Sequence, residues 1–586
     1  MRTRRPKPLP KPPSPAWLLL PLLTACAGTP AAPPPPAEAP EVPLVTRWPA
    51  GQRFRAALAA RVPDQQPWRA ALVWWREALR QSVAFAVDDG PDDGAVRGLP
   101  VLELDLDAAG GTLVATLRDA DGARVLAGGR FTAEQLPAAI DRLAWSARLA
   151  LGEAATAPLP VGPGTSPQPL VCSAVDDAMQ LLRDGGLQPA WRALRDARAR
   201  DGGAPFVLDG TAVLQLLRGD LAGAERTARE ALGYEARLLP TTRLRLARTL
   251  LLARASLRPE QAGERDRELL QLGLTAQRER PHDPEAALCV GIAHNFLGDF
   301  AAARTVLTPL ATALRDQPVV AYHLGWALLA TGEAAAACEP FERAAVRLPA
   351  GWVLLPRAIA LHEAGRGEAL RALLQTLRDE AENGELTHQV LAMLAAQALL
   401  RGDVATARQH LTADLQWLLH HPLQLQQGSG EFAERGAVLI RLGGGDALPP
   451  ILAAAQEQHP GTPVADACAF LGGMLDVQRT GEPATAAMAA LGKGGDNAFA
   501  ALLAAYGHER RGEIADMQTA LAAAARLSSS PLTKALLAHG LRAAGRSAEA
   551  DNLTAALRRE MTTLQLRRPP RHPLLAPELA YAFTLQ

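Results

Sequence analysis

From residue 170 to about residue 562, apolar residues recur three and four apart, the spacing of one helix face. Gly-Asp or Gly-Glu punctuates this pattern repeatedly: RGDLAGA from 218, LGDFAAA from 297, TGEAAAA from 331, RGDVATA from 401 and RGEIADM from 511. The stretch therefore reads as a succession of helical pairs, with glycine where the chain reverses. Residues 44–156 follow another rule. Trp68, Leu72, Trp75 and Leu79 sit at helical spacing, and VAFAV (83–87) is short and strand-like. In VLELDLD (101–107), Leu102, Leu104 and Leu106 alternate with Glu103, Asp105 and Asp107, which predicts a strand with one buried and one solvated face. Turns at AAGG (108–111) and DG (121–122) separate it from the strands TLVATLRDA and ARVLAGGRF. Thr132 then opens a helix with Leu136, Ile140, Leu143, Ala147 and Leu151 on one side, which completes a small α+β domain. APLPVGPGTSPQP (157–169) reads as a linker, and residues 563–586 as a C-terminal tail.

The segment AYHLGWALLATGEAAAACEPFERAAVRLP (321–349) is the best-formed copy. Leu324, Gly325 and Leu328 lie on its first helix, Gly332 at the turn, Ala337, Phe341 and Ala344 on its second helix, and Pro349 closes it. The copy before it carries Gly291, Gly298, Phe300, Ala303 and Leu307, so both glycines recur after 34 residues. This arrangement resembles the tetratricopeptide repeat (TPR). The resemblance implies a mainly α fold: a TPR-type right-handed α-solenoid of roughly nine or ten pairs over 170–562, preceded by the small α+β domain. It also implies a concave face lined by first helices. In the family's geometry the inward positions carry Asn295, Phe296, Tyr322, Trp326, Trp352, His362 and Glu363, with Tyr506 and Arg510 in the same places of a later copy. Trp326 and Trp352 suit either a groove or packing between repeats, since aromatic side chains dominate both.

The start of the chain adds an address. MRTRRPKPLPK is basic, AWLLLPLL is apolar but far shorter than the roughly 20 residues of a membrane-spanning helix, and Leu23-Thr24-Ala25-Cys26 follows. This resembles a bacterial lipoprotein signal peptide (1–25) with its lipobox. The resemblance implies cleavage before Cys26, acylation of Cys26, and a lipid anchor. Residues 26–43 are a Pro-rich tether. Ala27, where the family's inner-membrane members often carry aspartate, points to the outer membrane facing the periplasm.

The 61 basic and 61 acidic residues cancel, so no net field draws the chain toward nucleic acid. The five cysteines are scattered without a CxxC pair, and the four beyond Cys26 read as buried apolar side chains. No phosphate loop, nucleophile elbow or zinc motif is present; HEAG at 362 and HERRG at 508 lack a second histidine, and the adjacent His420 and His421 would point apart on a helix. The expectation is therefore no enzyme, no cofactor and no metal. The chain reads as a membrane-anchored envelope lipoprotein whose solenoid is a protein–protein interaction scaffold, binding a partner peptide or subunit in its concave groove. The alternative is a periplasmic enzyme or a small-ligand or glycan-binding module, with its site in the α+β domain.

Overall fold

A computed structural model describes residues 53–58, 66–88, 99–107, 110–153, 159–183, 186–314, 317–380, 385–483, 485–492, 497–562 and 572–585. The basic leader, Cys26 and the Pro-rich tether lie outside the described residues. The first domain is a five-stranded sheet under two helices. In chain order its elements are β1 (Arg53–Leu58), α1 (Gln66–Leu79), β2 (Ala86–Asp88), β3 (Val101–Asp107), β4 (Thr112–Asp119), β5 (Gly122–Arg130) and α2 (Leu136–Ala150). The strand order is β2-β1-β3-β4-β5. β1 pairs in parallel with both β2 and β3, and β3, β4 and β5 form the antiparallel meander that the turns predicted.

The alternation in β3 has its expected consequence. Leu102, Leu104 and Leu106 are fully buried and face Leu117, Ala115 and Leu113 across the ladder. Glu103 on the other face pairs with Arg118, so the acidic row is the outer side of the sheet. α1 supplies Trp74 and Trp75 to the core, and the Trp75 indole N–H donates to the Leu102 carbonyl at 2.9 Å. β1 escaped the sequence pattern because RFRAAL is short and carries only Phe54 and Leu58 as large apolar residues; Phe54 is fully buried.

In the stretch read as a linker, the described residues 159–169 pack against the core through Val161, Gly164, Thr165 and Ser166. Val161–Gly164 forms the helical turn α3, and Val161, Thr165 and Ser166 are buried. The Trp74 indole N–H lies 3.1 Å from Thr165 Oγ1 and 3.2 Å from the Ser166 carbonyl, and the Val161 amide donates to Asp141. One apolar cluster runs from the sheet through Val171, Cys172 and Val175 to Phe206. Proline and glycine here make a tight, buried corner rather than a free tether.

Beyond it the helices come in pairs: α4 (Pro169–Arg183) with α5 (Leu187–Arg200), α6 (Pro205–Leu217) with α7 (Leu221–Leu232), α8 (Pro240–Leu257) with α9 (Ala262–Glu279), α10 (Pro284–Leu297) with α11 (Phe300–Ala313), α12 (Pro318–Ala330) with α13 (Ala334–Ala345), α14 (Ala350–Glu363) with α15 (Gly367–Glu380), and α16 (Glu385–Leu400) with α17 (Val404–Leu419). After the short α18 (Pro422–Gln427) come α19 (Ser429–Arg441) with α20 (Leu448–Gln458), α21 (Pro463–Thr480) with α22 (Thr485–Gly492), α23 (Ala498–Arg511) with α24 (Ile514–Leu527), and α25 (Pro531–Ala543) with α26 (Ser547–Thr562). Second helices pack on the next first helix, as α7 does on α8 and α13 on α14, while successive first helices such as α10 and α12 touch each other. This is the TPR-type α-solenoid that the glycine spacing implied. First helices such as α12 are sandwiched between neighbours and are apolar almost all round, whereas second helices such as α13 keep a polar outer face.

Two glycines explain the spacing. A Cβ on Gly325 would lie 2.8 Å from the Phe341 ring, so only hydrogen lets α12 and α13 approach this closely. Gly332 has φ 83°, the left-handed conformation that turns the chain between the two helices.

The tail does not stop at α26. Residues 573–575 form a 3₁₀ turn, and α27 (Pro577–Thr584) packs back onto α16, α19 and α25.

Candidate functional site

The first helices α4, α6, α8, α10, α12 and α14 line a channel of about 680 Å³, and α1 of the sheet domain lines its amino-terminal end. Its walls are largely apolar. Met179, Phe206, Leu252, Ile292 and Phe296 succeed one another along it, and Tyr322 and Trp352 stand at its far end with ring centroids 6.5 Å apart.

Charged side chains enter the channel already paired. Arg76 of α1 reaches Asp176 of α4 at 2.5 Å, and Arg80 pairs with Glu77 one turn away. Arg245 of α8 holds Asp209 of α6 through Nε at 2.7 Å, Arg248 pairs with Glu285 of α10, and Arg280 meets Asp283 at 3.0 Å. Burial pushes the Asp209 and Glu285 carboxyls up from their ordinary range, against the pull of their arginines. Burial likewise lowers the Arg80 guanidinium. An ion pair withdrawn from water in this way links consecutive first helices and leaves little free charge for a ligand.

Of the residues that the repeat pattern turned inward, the structure brings Phe296, Tyr322 and Trp352 together on the channel. Trp352 is the most open of them, at 38 % exposure. Asn295 and Trp326 belong to the packing between repeats. Asn295 is buried, and its amide N–H donates to the His323 carbonyl at 2.8 Å. Trp326 is 4 % exposed and sets its edge against Phe341 at 6.4 Å. His362 and Glu363 lie at the end of α14, where they meet the returning tail: Glu363 Oε1 is 2.9 Å from His572 Nε2, and the His362 and His572 rings stand edge to face. In the later copy Tyr506 is buried under the Arg441 guanidinium, 5.0 Å from its ring, and Arg510 is exposed. In the HERRG stretch, His508 and Arg511 both pair with the exposed Glu513, a surface knot of ions.

The ion pairs of the channel were not read from the sequence. The available signal was a charge inside an apolar run: Asp209 in PFVLDGTAVL, Arg245 and Arg248 in RLRLARTLLL, and Arg76, Glu77 and Arg80 beside the tryptophans of α1.

No protein-family model matches the chain, and no curated protein matches it. Among solved structures it is similar to a thermophilic TPR protein of Thermus thermophilus, at 20% identity over 33% of this chain and 98% of that one, with a TM-score of 0.26. It is also similar to PilW, a type IV pilus biogenesis factor, at 18% identity over 38% and 98% of the two chains, with a TM-score of 0.26. The apo form of the quorum sensor NprR from B. thuringiensis matches at 14% identity over 66% and 97%, with a TM-score of 0.35. These likenesses concern fold alone. By its own helix pairing, its glycine-closed turns and its fused sheet domain, the chain is a mainly α protein: a TPR-type α-solenoid led by a small α+β domain.

Proposed function

We propose that this chain is an envelope lipoprotein, anchored through Cys26 on the periplasmic face of the outer membrane, whose solenoid is a scaffold that holds a segment of a partner protein. The channel between α1 and α14 carries this reading. It is open, apolar along most of its length, and ends on Phe296, Tyr322 and Trp352. Because the channel arginines already hold carboxylates, a strongly acidic or basic segment would have to break an internal pair to bind. The segment best suited is uncharged and apolar, with an aromatic or branched side chain set against Trp352. The chain performs no chemistry of its own in this reading.

The test is capture from detergent-solubilised membranes by the immobilised protein. Trp352→Ala removes a side chain already open to water, so it should leave folding intact. Loss of a hot-spot aromatic costs about 2 kcal/mol or more, so capture should fall on the order of thirtyfold. Undiminished capture would place the partner on another surface. The volume of the channel also lies within the range of small-molecule sites. A small-molecule adduct in native mass spectra, lost on denaturation, would favour the ligand-binding alternative.

Anchoring has its own check. Cys26→Ser should abolish incorporation of an alkyne fatty-acid probe and leave the precursor uncut. Equal labelling of both forms would defeat the lipoprotein assignment.

A further inference from the structure

In the amino-terminal half of the solenoid the first helices face an open channel. Further along, α14, α16, α19 and α25 are covered by the chain itself. The 3₁₀ turn Pro573–Leu575 rests on α14 and α16, and α27 lies across α16, α19 and α25, all of them first helices. Leu574, Leu579, Ala580 and Ala582 are buried there, and Phe583 lies under the Arg558 guanidinium at 5.6 Å. Two polar contacts fix the register: His572 with Glu363 at 2.9 Å, and Glu578, in the first turn of α27, with Arg435 of α19 at 3.2 Å. The segment therefore makes the contacts that a ligand helix makes in such a groove, an apolar face laid on the first helices and one carboxylate taken by a buried arginine.

Two features make this contact separable from the rest of the fold. An isolated helix as short as α27 is unstable in water, so its order is lent by the surface beneath it. That surface, in turn, does not need Glu578. Arg435 also holds Asp414 at 2.7 Å and Glu431 at 3.0 Å, so withdrawal of α27 leaves no buried guanidinium without a partner. The site in fact carries a surplus of acid. Asp414, Glu431, Glu434 and Glu578 gather around Arg435 and His388, whose Nδ1 is 2.7 Å from Asp414. Glu434 registers the strain: burial, and next the charge of Glu578, push its carboxyl up to about 7.

We propose that residues 572–585 are a resident ligand in cis, and that the surface on α16, α19 and α25 beneath them is a second interaction site. The partner it fits is a helix of the same make-up: short, apolar and aromatic on one face, with a carboxylate in its first turn to reach Arg435. Of the helices it touches, only α14, under the Pro573–Leu575 turn, also lines the open channel, so peptide binding and Trp352-dependent partner capture can be lost separately.

A fluorescein-labelled synthetic peptide with the sequence of residues 572–586 tests the proposal on the full-length chain. The tethered copy competes in the wild type at a high effective concentration. A Leu579→Ala/Phe583→Ala chain has a weakened resident copy, and should bind the peptide at least about tenfold more tightly than wild type does. A peptide carrying Glu578→Lys should lose most of that binding. In the wild-type chain, amide hydrogens of α27 should exchange much faster than those of α16. Equal peptide affinity for the two chains, or no binding to the double variant, would overturn the proposal. So would equal protection of α27 and α16, or a collapse of the array in the double variant, since either would make α27 a permanent part of the core.

Discussion

Arg435→Ala is expected to destabilise the carboxy-terminal half of the array by about 3 kcal/mol, the lower end of the range for breaking a buried ion pair. The guanidinium is 4 % exposed and serves Asp414, Glu431 and Glu578 from three different helices. Without it Glu578 can follow α27 into water, and Glu431 is already half exposed. Asp414 has neither escape, being fully buried on α17. It keeps only His388, which is why the loss falls at the lower end. The deficit should depend on pH. Burial already holds the Glu578 carboxyl above its ordinary range, and while α27 stays docked the loss of Arg435 removes the charge that pulls it back down. A carboxyl raised in the folded state favours folding fully below its unfolded value of about 4, and that contribution disappears as pH climbs through the folded value. Urea denaturation should therefore find a larger deficit at pH 8 than at pH 5. A loss that does not change between the two would mean that water screens the cluster.

Trp326→Ala should cost about 3–5 kcal/mol, the range for truncating a large buried aromatic. The indole is buried edge-on to Phe341, in the apolar cluster that α12, α13 and α14 share. Gly325, the preceding residue, has no side chain with which to close the cavity. Stability in a solenoid is passed between neighbouring pairs, so faster hydrogen exchange should concentrate in α12 to α15 and spare α23 to α26. Preserved stability with lost partner capture would return Trp326 to the groove. Trp352, one repeat on, should behave in the opposite way, because its ring stands open on the channel.

That contrast marks what the sequence could reveal. Spacing identifies which helix a tryptophan occupies, and the 34-residue recurrence of Gly291 with Gly325 and Gly298 with Gly332 identifies the repeat. Both are local properties. Whether an inward aromatic lines the groove or plugs the joint to the next repeat depends on a rotation of a few tens of degrees, which no single repeat encodes. Trp326 and Trp352 therefore look alike in sequence. The sheet domain is legible where turns and alternation are local, in β3, β4 and β5. It is illegible at β1, which owes its place to parallel pairing with β2 and β3 and to one buried phenylalanine. The proline- and glycine-rich stretch 157–169 misleads for a related reason. Its composition suits an exposed tether and a buried corner equally, and distant partners such as Trp74 and Asp141 decide between them. Residues 572–585 read as a tail because contacts across roughly 200 residues leave no periodic trace.

The shared core at that corner determines how the array comes apart. A free-standing solenoid frays inward from both ends, because its terminal repeats have one neighbour instead of two. Here α4 packs on α1 of the sheet domain, and Val171, Cys172 and Val175 belong to that domain's core, so the amino-terminal end has no loose repeat to surrender. A fragment begun at residue 170 would tear this seam and bare those side chains to water. Unravelling of the intact chain is thus directional. It starts at the carboxy-terminal end, with α27 and then α26, and the last part to yield is the junction of sheet domain and solenoid, where α1 lines one end of the channel.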